Sequence, residues 1–283
     1  MVHEQLINFN DHLIPVESGN AVSRWTNAYP RPMGVTWHWT ATWDLATCRK
    51  ILGGSNPLRK GKASAHYGVG RTRSEGIDRY VTLENRSWHA GAGQTLTWEG
   101  KPSDSTSSGA RTTVGIETVN IGYERSGVPA KDDWTVWATP DCRQELAIPP
   151  WPDEQIEMMV ELGVYILGRC PDIGPLDHHG HADICPGRKF DVMGFPWMRV
   201  LEGIHGDDCT FDVWTPYRTI KQRQQALIDL GYDLGSWGAD GAWGRVSSTA
   251  LEQFHEDNDM VTDPYWTVFT ARAAYRTLKT QGA

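Results

Sequence analysis

The segment from His178 to Asp191 constrains this chain more than any other. It holds three histidines, two aspartates, one cysteine and the cations Arg188 and Lys189 around a Pro186-Gly187 pair. Pro-Gly interrupts both helix and strand, so these side chains are expected on a loop. A loop so dense in metal-ligand types can act only if a rigid frame holds it against further groups from elsewhere. We read His181 and Asp191 as two of three metal ligands, with Lys189 working beside them.

The frame is legible upstream. Met33-Gly34-Val35-Thr36-Trp37-His38-Trp39-Thr40 is rich in β-branched and aromatic residues, nearly without polar interruption, and predicts a buried central strand. A short helix over 44–52 follows, ending at Gly53-Gly54. Ser64 to Gly70 and Arg79 to Leu83 predict a hairpin, with Trp88-His89-Ala90-Gly91 on the loop after it. Thr113 to Asn120 is another strand, with Ile116 and Thr118 on one side and Glu117 on the other. A glutamate there either meets water at a sheet edge or is aimed into a polar site. Ile156, Met159, Val160, Gly163 and Leu167 share one face of a helix that starts near Pro152 and ends before Pro171.

Other stretches say less. Residues 1–32 read as an extended lead-in of low functional content, closed by Tyr29-Pro30-Arg31-Pro32. Residues 99–110 are a polar surface loop, and 122–150 an insertion without clear regular structure that could help shape a cleft. A final helix is expected to run through about Ile204. Beyond a boundary at 205–208 the texture becomes helical, over about 220–230, 247–256 and 266–278, with a Gly-rich turn at Asp240-Gly241-Ala242-Trp243-Gly244.

Composition excludes several classes. A net charge of −8 argues against a nucleic-acid partner, which demands a basic face. Five irregularly spaced cysteines with no C-x-x-C predict free, mostly buried thiols rather than a disulfide framework. The start Met1-Val2-His3-Glu4-Gln5 lacks a secretory pattern, and no stretch approaches the ~20 apolar residues of a membrane span. We therefore expect a monomeric protein, made in the cytoplasm without an export signal, with no membrane partner. The 14 tryptophans hint at flat surfaces for carbohydrate rings.

A catalytic metal site needs about three protein ligands and an open position. It also needs a general base for the attacking water and a donor for the developing oxyanion. The chain offers His38, His181 and Asp191 for the metal, Glu117 as base and Lys189 as donor. At this level His178, His179 and Cys185 still compete as ligands.

The sequence resembles the zinc-dependent N-acetylmuramoyl-L-alanine amidases of the type 2 family, whose fold is shared with peptidoglycan recognition proteins. The resemblance rests on Val35 to Thr42, on Ser64-Ala65-His66-Tyr67, on Val114-Gly115-Ile116-Glu117 with Asn120, and on Trp88-His89-Ala90-Gly91. Its most specific part is Gly180 to Asp191, which resembles the family pattern G-H-x-D-I-x-P-G-R-K-x-D. It covers roughly residues 33–203. It implies Zn2+ held by His38, His181 and Asp191, catalysis by Glu117 and Lys189, and substrate contacts from Trp88, His89 and His66. It demotes His178, His179 and Cys185. Some members place a catalytic tyrosine where this chain has Ala65, so that role is filled by Tyr67 or His66 or is absent.

Arg223 to Tyr232 and Gly238 to Gly244 are similar to the three-helix peptidoglycan-binding domain of type 1. The two resemblances imply an α/β fold, a mixed central sheet flanked by helices, over residues 1–206, and a small three-helix peptidoglycan-binding domain over 210–283. The implied reaction cleaves the amide between N-acetylmuramic acid and L-alanine of the stem peptide in bacterial peptidoglycan. A phage endolysin fits that combination. The rivals are a muropeptide-recycling amidase, a non-catalytic recognition protein, and a zinc peptidase cutting inside the stem peptide.

Overall fold

The computed structural model describes residues 7–15, 22–25, 30–53, 63–91, 112–206, 209 and 217–282. The 99–110 loop and residues 207–208 of the expected boundary lie outside them.

Gly34–Trp39 (β3) forms the strand its composition predicts, and all six of its residues are buried. It belongs to a six-stranded sheet. Numbering strands along the chain, with Phe9–Asp11 as β1, Val22–Arg24 as β2, Tyr67–Val69 as β4, Ile77–Arg79 as β5, Asn85–Ser87 as β6, Thr113–Thr118 as β7 and His178–Gly180 as β10, the order is β1-β5-β4-β7-β3-β10. Only β4 and β5 pair antiparallel; the other neighbours are parallel, so the sheet is mixed.

Alternation along β3 divides the core. Val35, Trp37 and Trp39 join the main apolar cluster beneath Asp153–Leu167 (α2) and Trp197–His205 (α4). Those two helices approach closely because Gly163 faces Ile204 and Gly203 faces Val160, where a Cβ would stand 2.2 and 2.6 Å from the facing side chain. Leu45–Leu52 (α1) covers another part of the sheet through Leu45, Cys48 and Leu52. Asp44 caps α1, its carboxylate accepting from Thr47 N at 2.6 Å.

Three expectations are corrected. The N-terminal arm is not a bare lead-in: β1 extends the sheet edge beside β5, and β2 pairs with β6. The 122–150 insertion contains a hairpin, Thr135–Ala138 (β8) against Glu145–Ile148 (β9). The metal-ligand segment is not all loop. It begins with edge strand β10 and continues into the single turn His181–Ile184 (α3) before Pro186-Gly187.

The last helices are Ile220–Asp229 (α5), Arg245–Asp257 (α6) and Val268–Gln281 (α7). They share a cluster of Leu227, Leu251, Phe254 and Trp266, and Ala138 and Cys142 of the hairpin insertion belong to it too. Buried Arg223 donates to the carbonyls of Ala138, Thr139 and Tyr217. The insertion is thus the seat of the C-terminal helices. All five cysteines are free and buried. Among the described residues no helix is long and apolar enough to cross a membrane.

Candidate metal centre

Register places the site. His38 stands opposite Glu117 in the β3–β7 pair. Gly180 stands opposite Trp37 in the β3–β10 pair, so His181, the next residue, falls beside His38. Glu117, His38 and His181 therefore form one row across three parallel strands, at their C-terminal ends. That is where open α/β sheets bind ligands. The chain after α3 returns Asp191 to the same point.

His38 Nδ1, His181 Nδ1 and Asp191 Oδ2 lie 3.0 Å from one another in all three pairings. These residues are the one group of three or more possible metal ligands among the described residues. All three are buried. Two imidazole nitrogens facing one point beside a carboxylate repel unless a proton or a metal cation lies between them, so the cluster binds one or the other.

The outer partners fix both tautomers. A carbonyl oxygen only accepts, so His181 Nε2 must donate to Ala90 O at 3.2 Å, which leaves Nδ1 open. His89 Nε2 likewise donates to Thr113 O at 3.2 Å. His89 Nδ1 must then accept, and it faces His38 Nε2 at 2.9 Å. His38 Nε2 therefore carries the proton and its Nδ1 delivers a lone pair. Such second-layer contacts orient ligands in metal sites generally.

The electrostatics follow from burial and from Asp191. Burial, with His181 adding to it, lowers His38 to about 4. Burial also works against a charge on His181, but the Asp191 carboxylate overrides it and raises His181 to about 9. Burial alone would raise Asp191; the two histidines hold it well below the carboxylate range instead. Burial first, and Asp191 second, push Glu117 up to about 8. Lys189 acts on the same spot, its charge opposing the shift of Glu117 and adding to that of His38.

The residues expected to touch substrate fare differently. Trp88 keeps a partly exposed ring, anchored by its indole N–H to Ser23 Oγ at 3.3 Å. His89 is buried, and its two nitrogens face His38 Nε2 and Thr113 O inside the protein. His66 is fully buried: Nδ1 accepts from Gly115 N and Ser87 Oγ, and Nε2 donates to Asn85 O. Standing just before β4, it ties that strand to β6 and β7. Tyr67 stacks on Phe9 in the main core, so it does not fill the tyrosine role. His178 accepts from Trp37 and meets His205, and His179 meets Thr36 Oγ1; neither joins the ligand cluster.

The role of His89 depends on Gly115. A Cβ on Gly115 would stand 2.3 Å from the His89 ring. Gly115→Ala is expected to cost ~1–3 kcal/mol of stability in urea titration, as overpacking of a rigid core does, and to displace His89 from His38. An unshifted midpoint would contradict this packing.

Comparison with known proteins adds a family. A model described as N-acetylmuramoyl-L-alanine amidase (Amidase_2) matches residues 28–191, more than half of the chain. Over 37 residues the chain is 54% identical to the type VI secretion system spike protein VgrG3 of Vibrio cholerae, a match covering 13% of this chain and 4% of that protein. Among solved structures it is similar to the N-acetylmuramyl-L-alanine amidase AmiD from E. coli in complex with anhydro-N-acetylmuramic acid-L-Ala-D-gamma-Glu-L-Lys, at 22% identity over 91% of this chain and 93% of that chain, with a TM-score of 0.49. It is also similar to AmpDH3 from Pseudomonas aeruginosa, at 22% identity over 95% and 99% of the two chains, with a TM-score of 0.49.

Proposed function

The chain belongs to the N-acetylmuramoyl-L-alanine amidase family Amidase_2, and from that premise we propose that it is a zinc hydrolase cleaving the amide between N-acetylmuramic acid and L-alanine of the peptidoglycan stem peptide. The observation that carries this reading is the triangle of His38 Nδ1, His181 Nδ1 and Asp191 Oδ2, with Glu117 next to it in register.

The donor set suits zinc. Two imidazoles and a carboxylate are a common catalytic ligand set, and 3.0 Å edges are near the ~3.3 Å expected around a tetrahedral ion with ligands at ~2.0 Å. Zinc in such a site supplies Lewis acidity toward a carbonyl and a water that ionises near neutral pH. The rest is done by side chains. Glu117 takes the proton of the attacking water and passes it to the leaving amine of L-alanine. The Lys189 ammonium donates to the oxyanion that forms from the scissile carbonyl. His89 and the Ala90 carbonyl keep the ligand imidazoles in the tautomers they need. The partly exposed Trp88 ring is available to the sugar or the peptide.

Zinc binding should be coupled to protons. Below pH about 9 His181 is protonated in the metal-free protein, and a ligand nitrogen must give that proton up. Glu117, protonated below about 8, is acidified by a nearby cation and adds part of a second. Binding at pH 7 is expected to release between one and two protons, and affinity to rise about ten- to a hundredfold per pH unit there, the slope easing as the pH passes about 8 and then about 9. Calorimetry in buffers of different ionisation enthalpy reads the count. Fewer than half a proton released would contradict a charged His181.

The C-terminal helices favour an enzyme that works on the intact wall, as an endolysin does. They resemble a peptidoglycan-binding unit, and Trp237 beside the Gly-rich turn is 82% exposed. A wall-bound unit raises local concentration on an insoluble substrate. The test compares peptide release from purified sacculi with turnover of a soluble muropeptide. Preference for sacculi supports this reading; turnover of the soluble fragment alone supports a recycling amidase.

A further inference from the structure

Three residues of the metal segment form strand β10, which among the described residues has a sheet neighbour on one side only and leads straight into His181. Edge strands expose backbone carbonyls that something must satisfy. Here a side chain from the far end of the chain does so. Arg272 on α7, 2% exposed, donates to Leu176 O at 2.8 Å and to His178 O at 2.9 Å.

A second tie lies just past the ligand. Asp183, two residues beyond His181, divides its carboxylate between two backbone donors. Oδ2 accepts from Gly180 N at 2.7 Å, and Oδ1 accepts from Val268 N, the first residue of α7, at 2.8 Å. A carboxylate is favoured at a helix N-terminus by the helix dipole. Between these ties Phe269 meets the His179 ring at 6.1 Å between centroids. Phe269 also packs against Ala90, Ile184 and Cys185. Ala90 is the residue whose carbonyl fixes the His181 tautomer.

We propose that α7 is a brace of the metal site, with Arg272 and Asp183 as positioning residues that hold both ends of the segment carrying His181. This rests on reading His38, His181 and Asp191 as the metal ligands. The C-terminal unit is then more than a tether. A module that only raised local concentration would need no buried arginine in the catalytic unit, because burying a charge is costly unless it is hydrogen-bonded. The arginine is spent on the two carbonyls that set the path into His181.

The test uses the full-length protein and zinc alone as the probe. Zinc affinity is measured by chelator competition for wild type, Arg272→Ala, Arg272→Lys and the surface control Arg245→Ala. Thermal unfolding and the kinetics on a soluble muropeptide, which needs no wall attachment, are followed in parallel. Arg272→Ala is expected to weaken zinc by about tenfold or more, the scale of lost outer-layer support. It should lower kcat with little change in KM. Arg272→Lys, which can reach one carbonyl well but not both, should fall between, and Arg245→Ala should match wild type. If Arg272→Ala does not fold, Asp183→Asn serves instead, since its amide presents an NH2 to one of the two backbone donors; the same loss of zinc is expected. Wild-type zinc affinity in the folded variant overturns the brace and leaves the metal reading standing. A wild-type protein that holds no zinc overturns both.

Discussion

Glu117→Gln is expected to lower kcat on muropeptide by about a hundred- to ten-thousand-fold, the usual worth of a positioned general base, while zinc stays bound. Glutamine keeps the volume and the strand position but cannot take a proton. Glu117 is not one of the three converging donors, so the metal site survives its loss. Stability gives an independent readout. The folded carboxyl is raised from 4.5 to about 8, so the folded state holds more protons than the unfolded one between those values. In the metal-free wild type this contribution is fully present below pH 4.5 and is lost as pH rises through about 8. Glu117→Gln removes that loss, so its stability relative to wild type should grow from pH 4 to pH 8. A fully active Glu117→Gln would mean that another group is the base.

Asp191→Ala should abolish zinc retention. On the proposed ligand set it removes one of three ligands, so the fall should exceed the ~10–100-fold cost of losing an outer partner. It also removes the charge that raises His181. Burial is then opposed only by the Cys185 thiol, and the His181 imidazole should titrate lower than in the wild type, which NMR of the metal-free variant can follow. In the metal-free wild type the raised His181 stabilises the fold fully below about 6.5, and that contribution fades as pH rises through about 9. The variant should lack this fading. Zinc retained at wild-type affinity would remove Asp191 from the ligand set.

Much of this site was legible in the sequence because its chemistry sits on strongly patterned elements. His38 and Glu117 lie in the two longest strands, six residues each, where apolar and β-branched neighbours leave one reading. The parallel pairing that sets one opposite the other is not written in either strand. The segment 178–180 was harder. Three residues between Pro175 and Pro186 are too few to show a period, and an edge strand is defined by its neighbour rather than by its own pattern. The hairpin over 135–148 was hidden for a similar reason: each strand has four residues, and Val136 faces solvent. His89 was seen as a residue of the site, but its place under His38 depends on the missing side chain of Gly115. The contact of Arg272 with the His178 carbonyl leaves no sequence signal, since its acceptor is backbone.

The most direct test of the central claim is digestion of purified sacculi with and without a zinc chelator, with products identified by mass spectrometry. The account predicts stem peptides that begin at a free L-alanine amine and glycan strands with intact lactyl groups, lost with chelator and restored by added zinc. New N-termini inside the stem peptide, or release that the chelator leaves untouched, would contradict it.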